Sequence, residues 1–221
     1  MFGPARRVVA KALGTAALLA VVVGSGIMAE RLTEDVAVAL LANTAATAAG
    51  LVVLIAILGP MSGAHFNPAV TLALALRGAV SAGMAVVYVS SQIIGAILGV
   101  WLAHLLSSEP LIQVSTRLRD GPAQALSERV ATFGLVGVIL AGGRFRPQSV
   151  PALVGLYIAA AYWFTASTSF ANPAVTVARS LSDTFAGIAP SSAPAFIAAQ
   201  LAGALTALVV FNWLLGQENA A

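Results

Sequence analysis

Long apolar stretches broken by short clusters of charge organise this chain. Residues 12–29, 36–76, 78–108, 147–178 and 184–217 carry no Lys, Arg, Asp or Glu. A helix crossing a hydrocarbon layer of ~30 Å takes about 20 residues, so all but the first run exceed one span and the first comes close. The pattern predicts six spans, near residues 8–28, 36–58, 82–106, 127–143, 151–166 and 194–215. The fourth is the weakest, because only 14 residues separate Arg129 from Arg144. It reaches span length only with Glu128 and Arg129 inside the helix.

The chain also repeats itself. Asn-Pro-Ala-Val-Thr occurs at 67–71 and again at 172–176, 105 positions apart. Lys11-Ala-Leu-Gly-Thr parallels Glu128-Arg-Val-Ala-Thr at an offset of 117, and Gln92-Ile-Ile-Gly-Ala parallels Gln200-Leu-Ala-Gly-Ala at 108. The order is the same each time, which is an internal duplication with drift in loop length. The halves, about 8–106 and 127–216, are joined by a loop at 107–126 and would each hold three spans. An odd number of spans forces opposite orientations in the membrane. The expected fold is therefore an all-α membrane protein, one channel domain over 1–221, with six transmembrane helices in an inverted three-helix repeat.

Each Asn-Pro-Ala falls between two full spans and precedes about ten helix-compatible residues. Asn is a strong N-cap, and Pro suits the first helical position because its missing N–H would be unpaired there anyway. Asn67, Pro68 and Ala69, and likewise Asn172, Pro173 and Ala174, thus open two re-entrant half-helices. A helix that starts inside a membrane leaves unpaired N–H groups and a positive dipole end at that depth. Such backbone is tolerated only where it lines a cavity or is buried in protein. Inversion symmetry would bring the two starts together near the midplane, with the Asn67 and Asn172 amides facing a lumen. The paired positive ends would repel cations and interrupt proton hopping.

Composition narrows the function. At 59% hydrophobic and 9% charged residues, with mean hydropathy +0.94, the chain is an integral membrane protein. Arg6, Arg7 and Lys11 lead into a first segment that reads as a span and not a cleavable signal. The net charge of +3 is scattered between apolar segments, so it orients the protein in a bilayer and points to no nucleic acid. With the N-terminus inside, six basic residues (Arg6, Arg7, Lys11, Arg77, Arg144, Arg146) face the cytoplasm against five outside, and Glu218 is the one acid inside. That bias predicts cytoplasmic termini. Cysteine is absent and the two histidines, His65 and His104, are far apart, which argues against a metal centre or other cofactor.

"SGAHFNPAVT", "ANPAVT", the Gln-x-x-Gly-Ala pairs and the Glu128-x-x-Ala-Thr start of the fourth helix together resemble the aquaporin (major intrinsic protein) family over essentially the whole chain. The resemblance implies a homotetramer of six-span protomers, each with its own pore for water or small neutral solutes. It implies no cofactor and no energy coupling. In that family the residue three past the second Asn is usually Arg; here it is Val175. The other selectivity positions, counted back from each Asn, fall on Thr47, Ala160 and Ser169. Ala159 and Ala161 flank Ala160, so a register error of one would change little.

Thr47, Ala160, Ser169 and Val175 describe a wide, mostly apolar constriction without Arg, His or a large aromatic. Glycerol, As(OH)₃ and Sb(OH)₃ would pass it better than strict water selectivity allows. "FANPAVTVARSLSDTFAGI" resembles in particular the aquaporins associated with bacterial arsenic-resistance operons, which implies a bacterial inner membrane. Arg179, one turn beyond Val175, is expected in the outer vestibule, paired with Asp183 at i+4. The family usually has Glu at both pseudo-equivalent positions of the first and fourth helices, where it supports the re-entrant backbone. Glu128 matches, but Lys11 stands at the other. Lysine only donates, so Lys11 is expected to snorkel to the cytoplasmic surface and leave His65 and its loop differently supported.

Other classes fit less well. Ser25, in "VGSGIM", has no His at a plausible depth to make it a nucleophile, and no central carboxylate marks an ion-coupled transporter. A water-selective aquaporin and a closed-pore structural membrane protein remain as alternatives.

Overall fold

A computed structural model describes residues 2–216, which form eight α-helices and no β-strand. They are α1 (Pro4–Leu32), α2 (Val36–Ser62), α3 (Pro68–Leu76), α4 (Ala82–Leu106), α5 (Pro122–Phe145), α6 (Val150–Phe164), α7 (Pro173–Arg179) and α8 (Ala193–Leu214). Five of these, α1, α2, α4, α5 and α8, are long and apolar enough to cross a membrane. Glu218 and the C-terminal end of the chain lie outside the described residues.

The doubt about the fourth span resolves in favour of a long helix. α5 runs 24 residues from Pro122, with Glu128 and Arg129 well inside it. The short span is the fifth. α6 has 15 residues, ~22 Å of rise, and the 3₁₀ turn Pro147–Ser149 that leads into it adds ~6 Å. Together they approach the ~30 Å needed.

α1 packs on α4, and α5 packs on α8 in the same way. The repeated glycines explain the closeness of both pairs. A Cβ at Gly95 would overlap the Ala12 carbonyl, and one at Gly203 would overlap the Arg129 carbonyl. Ala12 and Arg129 are 117 positions apart, the offset of the first repeated motif. Without a hydrophobic drive between helices in lipid, such small-residue contacts bring backbones together. Large apolar side chains such as Leu13, Ile57, Val86 and Val209 face outward. Gln92, Glu128, Thr132 and Gln200 are fully buried instead. The polarity is arranged for a lipid surround and a polar interior seam.

Candidate functional site

α3 and α7 begin as the motifs dictate. The Asn67 carboxamide oxygen accepts from the Ala69 N–H at 2.9 Å, and that of Asn172 from Ala174 at 3.0 Å and Val175 at 3.4 Å. Each Asn also reaches into the opposite loop. Asn67 Nδ2 donates to the Ala171 carbonyl at 2.7 Å, and Asn172 Nδ2 to the Phe66 carbonyl at 2.8 Å. The two helix starts are thus locked to each other by a reciprocal pair of bonds. One N–H of each amide is spent this way, and both side chains line a continuous cavity.

The rest of the repeat holds these loops from behind. Thr71 Oγ1 donates to the Asn67 carbonyl and Thr176 Oγ1 to that of Asn172, both at 3.0 Å. Gln92 Nε2 and Gln200 Nε2 donate to the two threonines, both at 2.9 Å. The recurrence of Thr in the pentapeptide and of Gln in Gln-x-x-Gly-Ala was the signal of this brace, whose roles sequence reasoning did not assign. His65 Nδ1 also meets Thr71 Oγ1, at 2.7 Å. Since the hydroxyl gives its one proton to Asn67, this His65 nitrogen is the donor, and Nε2 keeps the lone pair.

Glu128 is fully buried and acts as an acceptor in the second half. Its Oε1 takes the Phe170 N–H and its Oε2 the Ala171 N–H, both at 2.8 Å, and Gln200 Nε2 donates to Oε2 at 2.5 Å. This fixes a loop in which Thr168, Ser169 and Ala171 hold left-handed φ values of 59°, 51° and 48°. Non-glycine residues persist there only when the surroundings over-determine them. Lys11 does not snorkel. It lies two turns into α1, ~10 Å from the first residue, and is fully buried with its ammonium 5.2 Å from the Tyr88 ring centroid. Nζ has no hydrogen-bond partner among the described residues.

The cavity, about 120 Å³, runs between the two half-helices and has roughly ten times the room a single water requires. Its wall is mainly branched aliphatic, with Leu18, Val22, Leu51, Val70 and Leu135 among the lining residues. Thr47, Ser169 and Val175 are buried and line it as expected. Ala160 does not; it is exposed on the outer face of α6. The face of α6 on the cavity is the i,i+4 ladder Val150, Val154, Ile158 and Tyr162. The count from Asn172 misses by two residues, and two residues at 100° each turn a side chain to the opposite face. Tyr162, a large aromatic, takes the place anticipated for a small residue, its hydroxyl 3.4 Å from Thr47 Oγ1.

Arg179 also departs from expectation. It is 3% exposed and lines the cavity. Its guanidinium carbon stands 3.4 Å from the Phe170 ring centroid, and Nε donates to the Ala186 carbonyl. No ion pair with Asp183 forms, because α7 ends at Arg179 and i+4 geometry needs the helix to continue. Asp183 is exposed, and its carboxylate accepts from the Thr116 N–H at 2.8 Å and the Thr116 hydroxyl at 3.0 Å. Those bonds hold the Asp183 carboxyl below the usual range. Arg119, which sequence reasoning passed over, has its guanidinium carbon 5.2 Å from the same Phe170 ring centroid and donates to the Gly187 and Phe185 carbonyls. The lining therefore includes an arginine and aromatics after all, with the arginine one turn beyond Val175.

The chain matches the family model of the major intrinsic protein over residues 2–166. It is 60% identical to Aquaglyceroporin AqpS of Rhizobium meliloti (strain 1021) over 214 residues, 97% of this chain and 92% of that one. It is 38% identical to the Glycerol uptake facilitator protein of Bacillus subtilis (strain 168) over 116 residues, 46% of this chain and 42% of that one. The X-ray structure of the aquaglyceroporin from Plasmodium falciparum aligns with a TM-score of 0.71 over 97% of this chain and 98% of that chain, at 22% identity, which is a likeness of fold.

Proposed function

Because the chain belongs to the major intrinsic protein family and is a membrane channel for small solutes and not an enzyme, we propose that its pore passes uncharged hydroxylated solutes of glycerol size. Neutral trivalent metalloid hydroxides such as As(OH)₃ and Sb(OH)₃ are included, and water accompanies them. The observation that carries this is the wall itself. Branched aliphatic side chains surround two Asn amides, and Val175 stands beside the second of them. An ion would shed its hydration against that wall at a cost of several kcal/mol. A polyol or metalloid hydroxide has no charge to desolvate, and its hydroxyls find donors in Asn67, Asn172 and Arg179. The name Aquaglyceroporin AqpS for a 60% identical relative supports the same substrate class.

A water-selective pore is the second reading, favoured by Tyr162 and Arg179 on the lining. Stopped-flow light scattering on proteoliposomes separates the two. Wild type should pass glycerol and arsenite, and Val175→Arg should lose solute flux more than water flux. Wild-type flux of water alone would sink the solute reading. We take the working unit to be a homotetramer in a bacterial inner membrane, termini inside and halves inverted, a reading supported by the family resemblance and the recurrent packing of α1 on α4 and α5 on α8. Light scattering with size-exclusion chromatography checks the stoichiometry.

A further inference from the structure

The two re-entrant loops are supported by opposite charges. α1 and α5 meet their partner helices at equivalent residues, Ala12 against Gly95 and Arg129 against Gly203. Lys11 and Glu128 each precede that contact by one position, so the Lys11 side chain leaves α1 where the Glu128 side chain leaves α5. Glu128 accepts the N–H groups of Phe170 and Ala171, the two residues before Asn172. The two residues before Asn67 are His65 and Phe66. Among the described residues, neither of their N–H groups has a hydrogen-bond acceptor.

Among the described residues, no carboxylate pairs with the donors gathered here. Lys11 is 0% exposed and its Nζ has no partner among them; the Tyr88 hydroxyl, also 0% exposed, has none either. Arg7 stands 5.6 Å from the Tyr88 ring centroid that Lys11 faces at 5.2 Å, and the His65 ring lies 5.6 Å from it. A cation over an aromatic face gains about 2 kcal/mol or more when desolvated. Removing an ammonium from water costs several kcal/mol, which one such contact does not fully offset. Among the described residues, the unpaired buried oxygens of this half are the Tyr88 hydroxyl and Gln92 Oε1, both neutral, with no charge to offer.

We propose that a small monovalent anion binds in the first half between Lys11 Nζ and the backbone N–H groups of His65 and Phe66. It does for the first loop what the Glu128 carboxylate does for the second. The Glu128 geometry, two N–H donors at 2.8 Å, sets the size: a halide or a formate-like carboxylate. Because Phe66 presents its carbonyl to Asn172, an anion holding the Phe66 N–H steadies both Asn-Pro-Ala starts.

The test is thermal unfolding of the purified full chain, with sodium gluconate replaced stepwise by sodium chloride or sodium formate at constant ionic strength. Wild type should show a saturating rise in apparent Tm with at least one of the two, about 5 °C or more at a hundredfold excess over Kd. A response to chloride alone assigns a halide and to formate alone a carboxylate. Lys11→Glu carries its own acceptor, so its Tm in gluconate should exceed that of wild type and ignore both anions. Lys11→Met should ignore them as well; if it fails to fold, Lys11→Glu decides. A wild type indifferent to both anions, or a Lys11→Glu variant that responds as wild type does, overturns the proposal.

Discussion

Replacing Glu128 by Gln tests whether a charged carboxylate holds the second loop. The side chain accepts three hydrogen bonds, two from the loop backbone at 2.8 Å and one from Gln200 at 2.5 Å. Gln keeps one oxygen and turns an NH₂ group toward the other donors. At least one bond to a charged acceptor is lost, about 1.5–3 kcal/mol, and one buried N–H is left unpaired, about 1–3 kcal/mol more. The total, about 2.5–6 kcal/mol, brackets the ~3–5 kcal/mol cost of breaking a buried charged interaction from one side. For a chain of this size that lowers the apparent Tm by about 10 °C. Phe170, released from its anchor, would also disturb the lining it shares with Arg179, so solute flux should fall with stability. Scanning fluorimetry in detergent and proteoliposome flux read the two effects. An unchanged Tm would refute the reasoning, because it would mean that Glu128 is protonated and that a neutral amide replaces it without loss.

Three further outcomes follow from the geometry. Ala160→Trp should leave glycerol flux within about twofold of wild type, since its side chain faces outward, whereas Tyr162→Ala should widen the pore and raise glycerol flux; equal effects would contradict the α6 register. Arg179→Leu should let small cations leak measurably above wild type in a potential-driven flux assay, because it removes the positive charge on the lining, while glycerol passage persists. Asp183 has a lowered carboxyl pKa, so its bonds to Thr116 contribute fully above the ordinary carboxyl range near ~4 and are lost as pH falls through the lower folded value. The Thr116 amide protection factor should therefore hold from pH 7 down to the ordinary carboxyl value near ~4 and collapse only below it, and Asp183→Asn should lack the transition.

The legible parts of this molecule are those whose chemistry is local or repeated. Asn67-Pro68 and Asn172-Pro173 specify helix starts by capping alone, and the structure shows those starts with the expected side-chain bonds. The helix positions followed from apolar run length to within a few residues, except at α5, where Pro122 at the first helical position starts the helix five residues early. Ala160 failed because its register was counted back from Asn172 across the loop 165–171, an irregular segment with three left-handed residues where no regular spacing holds. Arg179 failed because helical spacing was extended past the end of α7. Lys11 failed because snorkelling needs a route to water, and Tyr88, 77 positions further along the chain, lies over the ammonium.

The measurement that bears most directly on the account is a glycerol-gradient trace on proteoliposomes holding the wild-type channel. An inward glycerol gradient should cause rapid shrinkage as water leaves, followed by re-swelling as glycerol enters well above the rate of empty vesicles, with sucrose giving shrinkage only. Shrinkage without accelerated re-swelling would contradict the claim that this pore conducts uncharged hydroxylated solutes, and would place Tyr162 and Arg179 at a barrier that only water crosses.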